Sequence, residues 1–181
     1  MEAAPRSICW RSRLEGCPDG YRRWLLNRGS LTARIRRACP AFSVQHVAQG
    51  LAQPFPDERE RLGLRPRELA LVREVFLCCG DVPVVFAHSV VARRDLNGPW
   101  RWLSRLGARP LGEALFTDPL TRRTPLEFSR LRPGHALFRH AVARLAVQPP
   151  ELWARRSLFR QQGRSLLVTE VFLPDVLRLR P

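Results

Sequence analysis

The sequence predicts an α+β fold built on one antiparallel sheet. Residues 69–91 hold two apolar segments separated by Gly80-Asp81, a short turn that is typical of a β-hairpin. Residues 152–173 hold a second pair of apolar segments around another short polar turn. Because strands and helices do not alternate regularly along the chain, nothing in the pattern requires a parallel sheet.

Helix signals come before the strands in the first half of the chain. Pro18-Asp19-Gly20 marks a helix start, and Ser30 has the small hydroxyl side chain that is typical of a helix N-cap. The elements predicted in this half are helices at 21–29 and 31–39, strands at 42–53, 69–79 and 82–91, and a loop at 54–61.

Short helices and strands share the second half of the chain. Gly107 and Pro110 separate two short helical segments, and Pro174 ends the last strand because proline has no N–H group to donate. The elements predicted in this half are helices at 99–106, 111–116 and 135–146, and strands at 120–131, 152–160 and 165–173.

The 181 residues fit one domain, and a hydrophobic content of 45% is ample for its core. We expect residues 1–17 to be poorly ordered, residues 18–176 to form the domain and residues 177–181 to be a tail. The longest apolar stretch, 82–91, is interrupted by a proline and a histidine and is too short to cross a bilayer. The N-terminus lacks the apolar core of a signal peptide, so we expect a cytoplasmic protein.

The net charge of +15 points at first to nucleic-acid binding. All 31 basic residues are arginines, which indicates a general coding preference, and they are scattered along the chain. Scattered arginines do not form the basic arm or stripe on which nucleic-acid binding usually depends. We therefore expect no obligate nucleic-acid partner, although the charge favours non-specific contact with polyanions.

The cysteines give no sign of a metal site or of a disulfide framework. They are odd in number and include no C-x-x-C pair: Cys9, Cys17, Cys39, Cys78 and Cys79. A zinc site needs closely spaced ligand pairs, and none of the four histidines has a cysteine nearby in the sequence. We predict that all five cysteines are reduced thiols with packing roles and that the protein binds no metal.

Two charged residues lie where the strand pattern predicts apolar side chains. Side chains alternate along a strand, so Arg73 shares a face with Val75, and Glu170 lies in line with Val168. An ion that is buried without a partner is costly, so each charge needs a counter-ion, the other residue or a ligand. An arginine in an apolar pocket suits a carboxylate, which it binds with two hydrogen bonds, and this indicates a small organic acid.

Both residues also have a purely structural interpretation. Arg73 can lie at a strand edge with its aliphatic stem packed and its guanidinium group in water. Glu170 can form a structural ion pair with an arginine of the neighbouring strand, either Arg155 or Arg156. The strand pattern alone does not distinguish these interpretations from a ligand site.

Two predicted helix starts can supply backbone donors to an acid. Leu31 follows Ser30, and Leu111-Gly112 follows Pro110. Free N–H groups at helix N-termini bind carboxylates, and a glycine allows a ligand to approach the backbone closely.

These positions fall together in the pattern of one known family. The segments that carry the pattern are S-L-T at 30–32, L-V-R-E-V-F-L-C at 71–78, P-L-G at 110–112, L-T-R at 120–122, L-W-A-R-R-S at 152–157 and L-V-T-E-V-F-L-P at 167–174. The chain resembles the bacterial chorismate lyases of ubiquinone biosynthesis, and the segments occur in the family's order over residues 18–176.

The resemblance implies a six-stranded antiparallel sheet with helices, and flap segments that cover an internal ligand cavity. It implies that a monomer converts chorismate into 4-hydroxybenzoate and pyruvate, the first step of ubiquinone biosynthesis, without a cofactor. It places the ligand's carboxylate on Arg73, with help from the backbone at Leu31 and Leu111, and it places Glu170 at the hydroxyl end of the ring. Arg73 and Glu170 are therefore the candidate catalytic residues, with Glu170 assisting proton transfer.

A non-catalytic protein of the same fold is the alternative. The fold also occurs in effector-binding domains of bacterial transcription regulators, which would make this chain a sensor of a small aromatic acid. Such domains normally follow a DNA-binding domain, whereas only about 17 residues precede the first predicted helix here. Within the lyase family, His88 stands where relatives often carry arginine, and Leu31 stands where they often carry methionine. A backbone contact tolerates the change at Leu31, and the role of His88 is left open.

Overall fold

The computed structural model describes residues 8–180. The strands in this range are β1 (Phe42–Ala52), β2 (Ala70–Cys79), β3 (Val82–Ala92), β4 (Arg122–Arg123), β5 (Glu127–Leu131), β6 (Leu152–Gln161) and β7 (Arg164–Phe172). The α-helices are α1 (Asp19–Leu25), α2 (Leu31–Ala38), α3 (Pro56–Arg61), α4 (Leu111–Thr117) and α5 (Ala136–Val142). Short 3-10 helices lie at Arg93–Asp95, Arg101–Arg105 and Pro174–Arg178.

One antiparallel sheet organises the fold, which confirms the predicted α+β class. The strand order is β1-β2-β3-β7-β6-β4, and β5 also pairs with β6. The sheet has seven strands and not the six that were expected, because the strand predicted at 120–131 is divided into β4 and β5. Pro125 lies between the two pieces, and it cannot donate a hydrogen bond to β6.

The two hairpins that predicted the fold class are both present. Gly80 has a φ of 59° in the turn between β2 and β3. Gln162 and Gly163 have φ values of 51° and 73° in the turn between β6 and β7. Two successive residues with positive φ form the kind of turn whose twist matches that of antiparallel strands.

The sheet is covered on both faces. On one face, Val75 and Phe172 pack in a core that also contains Trp24 of α1 and Ile35 of α2. On the other face, the buried residues of β2 and β3 pack against α5, for example through Phe138. Because both faces are buried, a charged side chain on a central strand lies inside the protein on whichever face it points to.

The loop predicted at 54–61 is wrong, because residues Pro56–Arg61 form the helix α3. Pro56 occupies the first turn, where its missing N–H group costs nothing. The carboxylate of Glu58 accepts a hydrogen bond from the backbone N–H of Phe55 at 3.0 Å, and acidic residues in the first turn complement the helix dipole.

The prediction of five reduced thiols is also wrong, because Cys39 and Cys79 form a disulfide. Forty positions separate them in the sequence, but β1 begins just after Cys39 and pairs with β2, so that Phe42 lies opposite Cys79. This pairing brings the end of α2 beside the end of β2. The other cysteines, Cys9, Cys17 and Cys78, are free.

Part of the N-terminal segment predicted at 1–17 lies outside the described residues, namely 1–7. In the part that is described, Arg11 exchanges two backbone hydrogen bonds with Phe128, at 2.9 and 2.8 Å. The indole N–H of Trp10 donates to Asp57 at 2.8 Å. No helix within 8–180 has the length and apolar character needed to cross a membrane.

Candidate active site

A pocket lies between the sheet and the N-terminal ends of α2 and α4. Its cavity volume is about 40 Å³. The polar side chains that line it are those of Thr32, Arg73, Ser89, Arg123 and Glu170. Apolar side chains from both helices and from β2, β3 and β7 form most of the remaining wall. A few polar groups that converge in an apolar pocket are the usual form of a small-molecule site.

The sheet register sets the separation of Arg73 and Glu170. Arg73 lies opposite Ser89 on β3, and Ala87, two residues before Ser89, lies opposite Glu170 on β7. Arg73 and Glu170 are two strands and two residues apart in this register, so their backbones lie about 10 Å apart across the sheet and about 7 Å apart along the strands. The two side chains therefore reach the same pocket from different sides.

Arg73 is buried without a carboxylate partner. It is 1% exposed, so the alternative in which its guanidinium group lies in water is wrong. Its Nε and Nη2 atoms donate to the carbonyl oxygens of Gly107 and Arg109 at 2.8 to 3.2 Å, while Nη1 has no partner among the described residues. Burial lowers the pKa of Arg73 to about 10, because no neighbouring anion offsets the lost hydration.

Glu170 does have a partner, which is one of the two that were considered. The Nε atom of Arg155 donates to Glu170 Oε2 at 2.5 Å. Arg155 is completely buried, and its Nη1 atom donates to three backbone carbonyl groups at the end of α1 and just beyond it. The ion pair fixes one oxygen of Glu170, and the other oxygen makes no hydrogen bond within residues 8–180.

The two predicted helix starts meet at the pocket. Leu31 and Leu111 are the first residues of α2 and α4, where backbone N–H groups have no partner within the helix. Ser30 caps α2 as predicted and accepts a hydrogen bond from Ala33 N–H at 3.2 Å. A Cβ atom at Gly112 would lie 3.0 Å from Ser30 Oγ, so the glycine lets the two helix starts contact one another.

Sequence reasoning missed three polar residues of the pocket, Thr32, Ser89 and Arg123. Ser89 is fully buried, and its hydroxyl group has no hydrogen-bond partner in the part of the chain that is described. Arg123 packs against the rings of Phe116 and Phe159, with its Cζ atom 5.4 and 5.3 Å from their centres. Burial is the main reason that the pKa of Arg123 is lowered to about 10; the negative charge of Glu170 opposes the shift, and the positive charge of Arg155 adds to it.

Comparisons with known proteins identify the family of this chain. The family profile described as chorismate lyase matches residues 5–179. The chain belongs to the chorismate lyase family. It is 58% identical to a protein of Nitrosospira multiformis named a probable chorismate pyruvate-lyase, with 99% of each chain covered. A protein of Nitrosomonas europaea with the same name is 50% identical, with 95% of this chain and 97% of the relative covered.

Solved structures support the fold of this chorismate lyase family member. The effector domain of PhnF from Mycobacterium smegmatis superposes with a TM-score of 0.59 over 83% of this chain and 91% of that domain. The sequence identity is 15%, so the comparison supports the shared architecture alone.

In this member of the lyase family, His88 points away from the pocket. It lies on the opposite face of the sheet, where its ring nitrogens contact Glu74 Oε1 at 2.9 Å and Glu58 Oε1 at 3.0 Å. His140 of α5 contacts the same oxygen of Glu74 at 2.7 Å, and the ring of Phe55 stacks on His88. These contacts give His88 two carboxylate partners and place it outside the candidate site.

The charges of His88, Glu58, Glu74 and His140, which form a cluster on the reverse face of the sheet, stabilise one another. Burial alone would lower the pKa of His88, but Glu58 and Glu74 raise it to about 10. Burial alone would raise the pKa of Glu74, but hydrogen bonds from His140 and His88 lower it to about 2. The reverse face therefore holds paired charges, whereas the pocket holds an arginine that lacks an acidic partner.

Proposed function

We propose that the protein is a lyase that converts chorismate into 4-hydroxybenzoate and pyruvate without a cofactor, as the first step of ubiquinone biosynthesis. The observation that carries the proposal is the buried guanidinium group of Arg73, which opens into a largely apolar pocket without an acidic partner. A bound carboxylate would supply the missing counter-charge. The full-length similarity to proteins named probable chorismate pyruvate-lyases indicates which acid to test.

The ring carboxylate of the ligand is assigned to Arg73. Its Nη1 atom is free to donate, and charge-assisted hydrogen bonds between arginine and carboxylate are among the strongest in proteins. The backbone N–H groups of Leu31 and Leu111 add two further donors at the same pocket. These donors would hold the acid end of the ring toward the helices and β2, and the hydroxyl end toward Glu170.

The proposed reaction is an elimination that makes the ring aromatic. The C4 proton of chorismate is removed, the bond between C3 and the ether oxygen breaks, and enolpyruvate leaves. Enolpyruvate then takes up a proton at its methylene carbon and becomes pyruvate. Glu170 is the group assigned to proton transfer, because one of its carboxylate oxygens is free in the pocket and the other is held by Arg155. One positioned acid or base contributes about 10²- to 10⁴-fold, and substrate orientation adds to it.

The product is expected to leave slowly. Arg36 of α2 donates to Glu113 of α4, and this ion pair joins the two segments that cover the pocket. An aromatic acid beneath them departs only when the segments separate. Product release is therefore a candidate for the slowest step of turnover.

A sensor of aromatic acids is the competing function, because the fold is shared with an effector domain. Purified protein is mixed with chorismate in the absence of metal and nucleotide, and 4-hydroxybenzoate is followed by its ultraviolet absorbance. Steady release of 4-hydroxybenzoate supports the lyase. Saturable binding of 4-hydroxybenzoate without any conversion of chorismate refutes the lyase and favours the sensor.

The location and assembly expected from the sequence are part of the proposal. We infer a monomer that acts in the cytoplasm without a nucleic-acid partner. The chain's mass of 20.8 kDa gives the expected result for a light-scattering measurement at physiological salt. A dimeric mass, or binding to duplex DNA that survives physiological salt, would contradict it.

A further inference from the structure

Chorismate has two carboxylates, and Arg73 is the proposed partner of only the ring carboxylate. The second belongs to the enolpyruvyl group, which is joined to ring carbon C3, next to the hydroxyl-bearing C4. If the ring carboxylate lies at Arg73 and the hydroxyl group lies near Glu170, the second carboxylate falls on the Glu170 side of the pocket. A buried carboxylate at this position needs a cation or donors of its own.

Arg123 is on that side of the pocket. The register places Arg73, Ser89, Val168 and Ser157 in one row across β2, β3, β7 and β6. The ends of the row are about 14 Å apart, at about 4.8 Å per strand. The Nε atom of Arg123 donates to the hydroxyl group of Ser157 at 2.7 Å. The guanidinium group of Arg123 therefore lies at the end of the row opposite Arg73.

The contacts of Arg123 fix its position, and Glu170 offsets only part of its charge, from beyond ion-pair distance. Besides Ser157, its Nη1 atom donates to the carbonyl oxygen of Arg28 at 3.0 Å, and the rings of Phe116 and Phe159 pack against the group. Its Nη2 atom makes no hydrogen bond within the described part of the chain, where no carboxylate lies within ion-pair distance of the group. The side chain lines the pocket.

We propose that Arg123 binds the enolpyruvyl carboxylate of chorismate, so that the pocket holds the substrate by an arginine at each end. The inference rests on the proposed lyase function. Its consequence is selective: the product 4-hydroxybenzoate keeps the carboxylate at Arg73 but has lost the one at Arg123. Arg123 therefore contributes to substrate binding and to the orientation of the leaving group, and it contributes little to product binding.

The experiment compares substrate kinetics with product affinity in Arg123→Gln. We expect kcat/KM for chorismate to fall about 10- to 100-fold, as the loss of a charge-assisted hydrogen bond predicts. The inhibition constant of 4-hydroxybenzoate should stay within about threefold of the wild-type value. The matched control is Arg122→Gln, which removes the same charge from the adjacent exposed position and should leave both quantities unchanged.

Arg123→Lys distinguishes loss of the charge from a folding defect, because lysine keeps the charge and approximately the length of the side chain. It should recover part of kcat/KM and retain wild-type product affinity. Equal losses of kcat/KM and product affinity in Arg123→Gln would show a structural role and overturn the inference. Unchanged kcat/KM, or an equal effect of Arg122→Gln, would also overturn it. If the wild-type protein makes no 4-hydroxybenzoate, the proposed function itself fails, and the two failures are thereby distinguished.

Discussion

Arg73 places a positive charge inside the protein before any ligand arrives. Two backbone carbonyl groups accept its hydrogen bonds, but carbonyl dipoles compensate a full charge only in part. The unliganded fold is therefore less stable than it would be with a neutral side chain, and a bound carboxylate offsets the difference. The two carbonyl groups hold the guanidinium group in place before any carboxylate binds.

Arg73→Gln should separate binding from folding. We expect the dissociation constant of 4-hydroxybenzoate to rise at least about 10-fold, because a charge-assisted hydrogen bond is worth about 1.5–3 kcal/mol. The thermal unfolding midpoint should not fall, since the substitution removes a buried charge without an acidic partner. Isothermal titration calorimetry and thermal unfolding measure the two effects. Arg130→Gln, which removes an arginine that pairs with Glu151 outside the pocket, should keep wild-type affinity. Unchanged affinity in Arg73→Gln would contradict the assignment.

Glu170→Gln should lower turnover more than binding. The amide oxygen can still accept a hydrogen bond from Arg155, so the pocket should keep its shape, but the side chain no longer transfers a proton. We expect kcat to fall by up to about 10²- to 10⁴-fold, with product affinity changed only a few-fold. The control is Glu127→Gln, whose carboxylate pairs with Arg156 at 2.7 Å and does not line the pocket. A wild-type kcat in Glu170→Gln would remove the acid or base role.

Residue-level prediction worked where strand alternation alone decides the answer. Because side chains alternate along a strand, the sequence predicted that Arg73 and Glu170 lie on a buried face, without any knowledge of how the strands pair. Ser89 was missed because counting back from the Gly80-Asp81 turn pairs Arg73 with His88. An irregularity between Leu77 and Cys78 shifts the register by one residue, and local sequence gives no sign of it. Arg123 was missed because β4 is too short to show a pattern.

At the scale of elements, the hairpins were predictable and the short helix α3 was not. A hairpin has a local signal, since apolar alternation on both sides of a tight turn specifies the pairing. The segment that forms α3 contains three acidic residues and a proline, which also suit a loop. Its helix is stabilised by tertiary contact: Glu58 is 2% exposed and reaches His88 beneath the sheet. Tertiary contacts of this kind lie outside any local window.

The elements on the reverse face are held by charges whose stability depends on pH. The pKa of His88 is raised from 6.5 to about 10, so its stabilisation is complete below 6.5 and is lost as the pH rises toward 10. The pKa of Glu74 is lowered from 4.5 to about 2, so its stabilisation is present above 4.5 and is lost as the pH falls toward 2. The cluster therefore stabilises the fold most between these windows, at about pH 4.5 to 6.5.

Urea unfolding at several pH values tests this dependence. Between pH 7 and 9 the free energy of unfolding of the wild-type protein should fall by up to about 1.4 kcal/mol per pH unit. His88→Gln should be less stable at pH 7, and its free energy of unfolding should change less over the same interval. His46→Gln, at an exposed position on β1, should keep the wild-type slope. Equal slopes in the wild-type protein and His88→Gln would show that the cluster does not set the pH dependence.

For the molecule as a whole, the sheet separates two kinds of buried charge. The reverse face holds histidines and carboxylates that satisfy one another, and those charges fasten α3 and α5 to the sheet. The pocket face holds Arg73 and Arg123 beneath α2 and α4, and neither forms an ion pair with a described residue. The reverse face is thus stabilised by its own ion pairs, and we propose that an acidic ligand supplies counter-charge on the pocket face.

The disulfide between Cys39 and Cys79 joins α2, one of the two helices that cover the pocket, to the sheet. Cys39 directly follows α2, and Cys79 is the last residue of β2, the strand that carries Arg73. In the chain-entropy model, closing a loop of this length stabilises a protein by about 4 kcal/mol. A cytoplasm keeps most thiols reduced, so the proposed location requires a fold that persists without the bond.

The disulfide predicts how stability responds to a reductant. In urea unfolding without reductant, the wild-type protein should be about 2–4 kcal/mol more stable than with dithiothreitol. The double variant Cys39→Ser/Cys79→Ser should have the free energy of unfolding of the reduced protein, and dithiothreitol should not change it. The control Cys9→Ser, at an exposed free thiol, should lose stability with dithiothreitol as the wild-type protein does. Thiol titration of the denatured, unreduced protein should find the three free cysteines. Five reactive thiols would show that the bond does not form, and the entropy argument would then not apply.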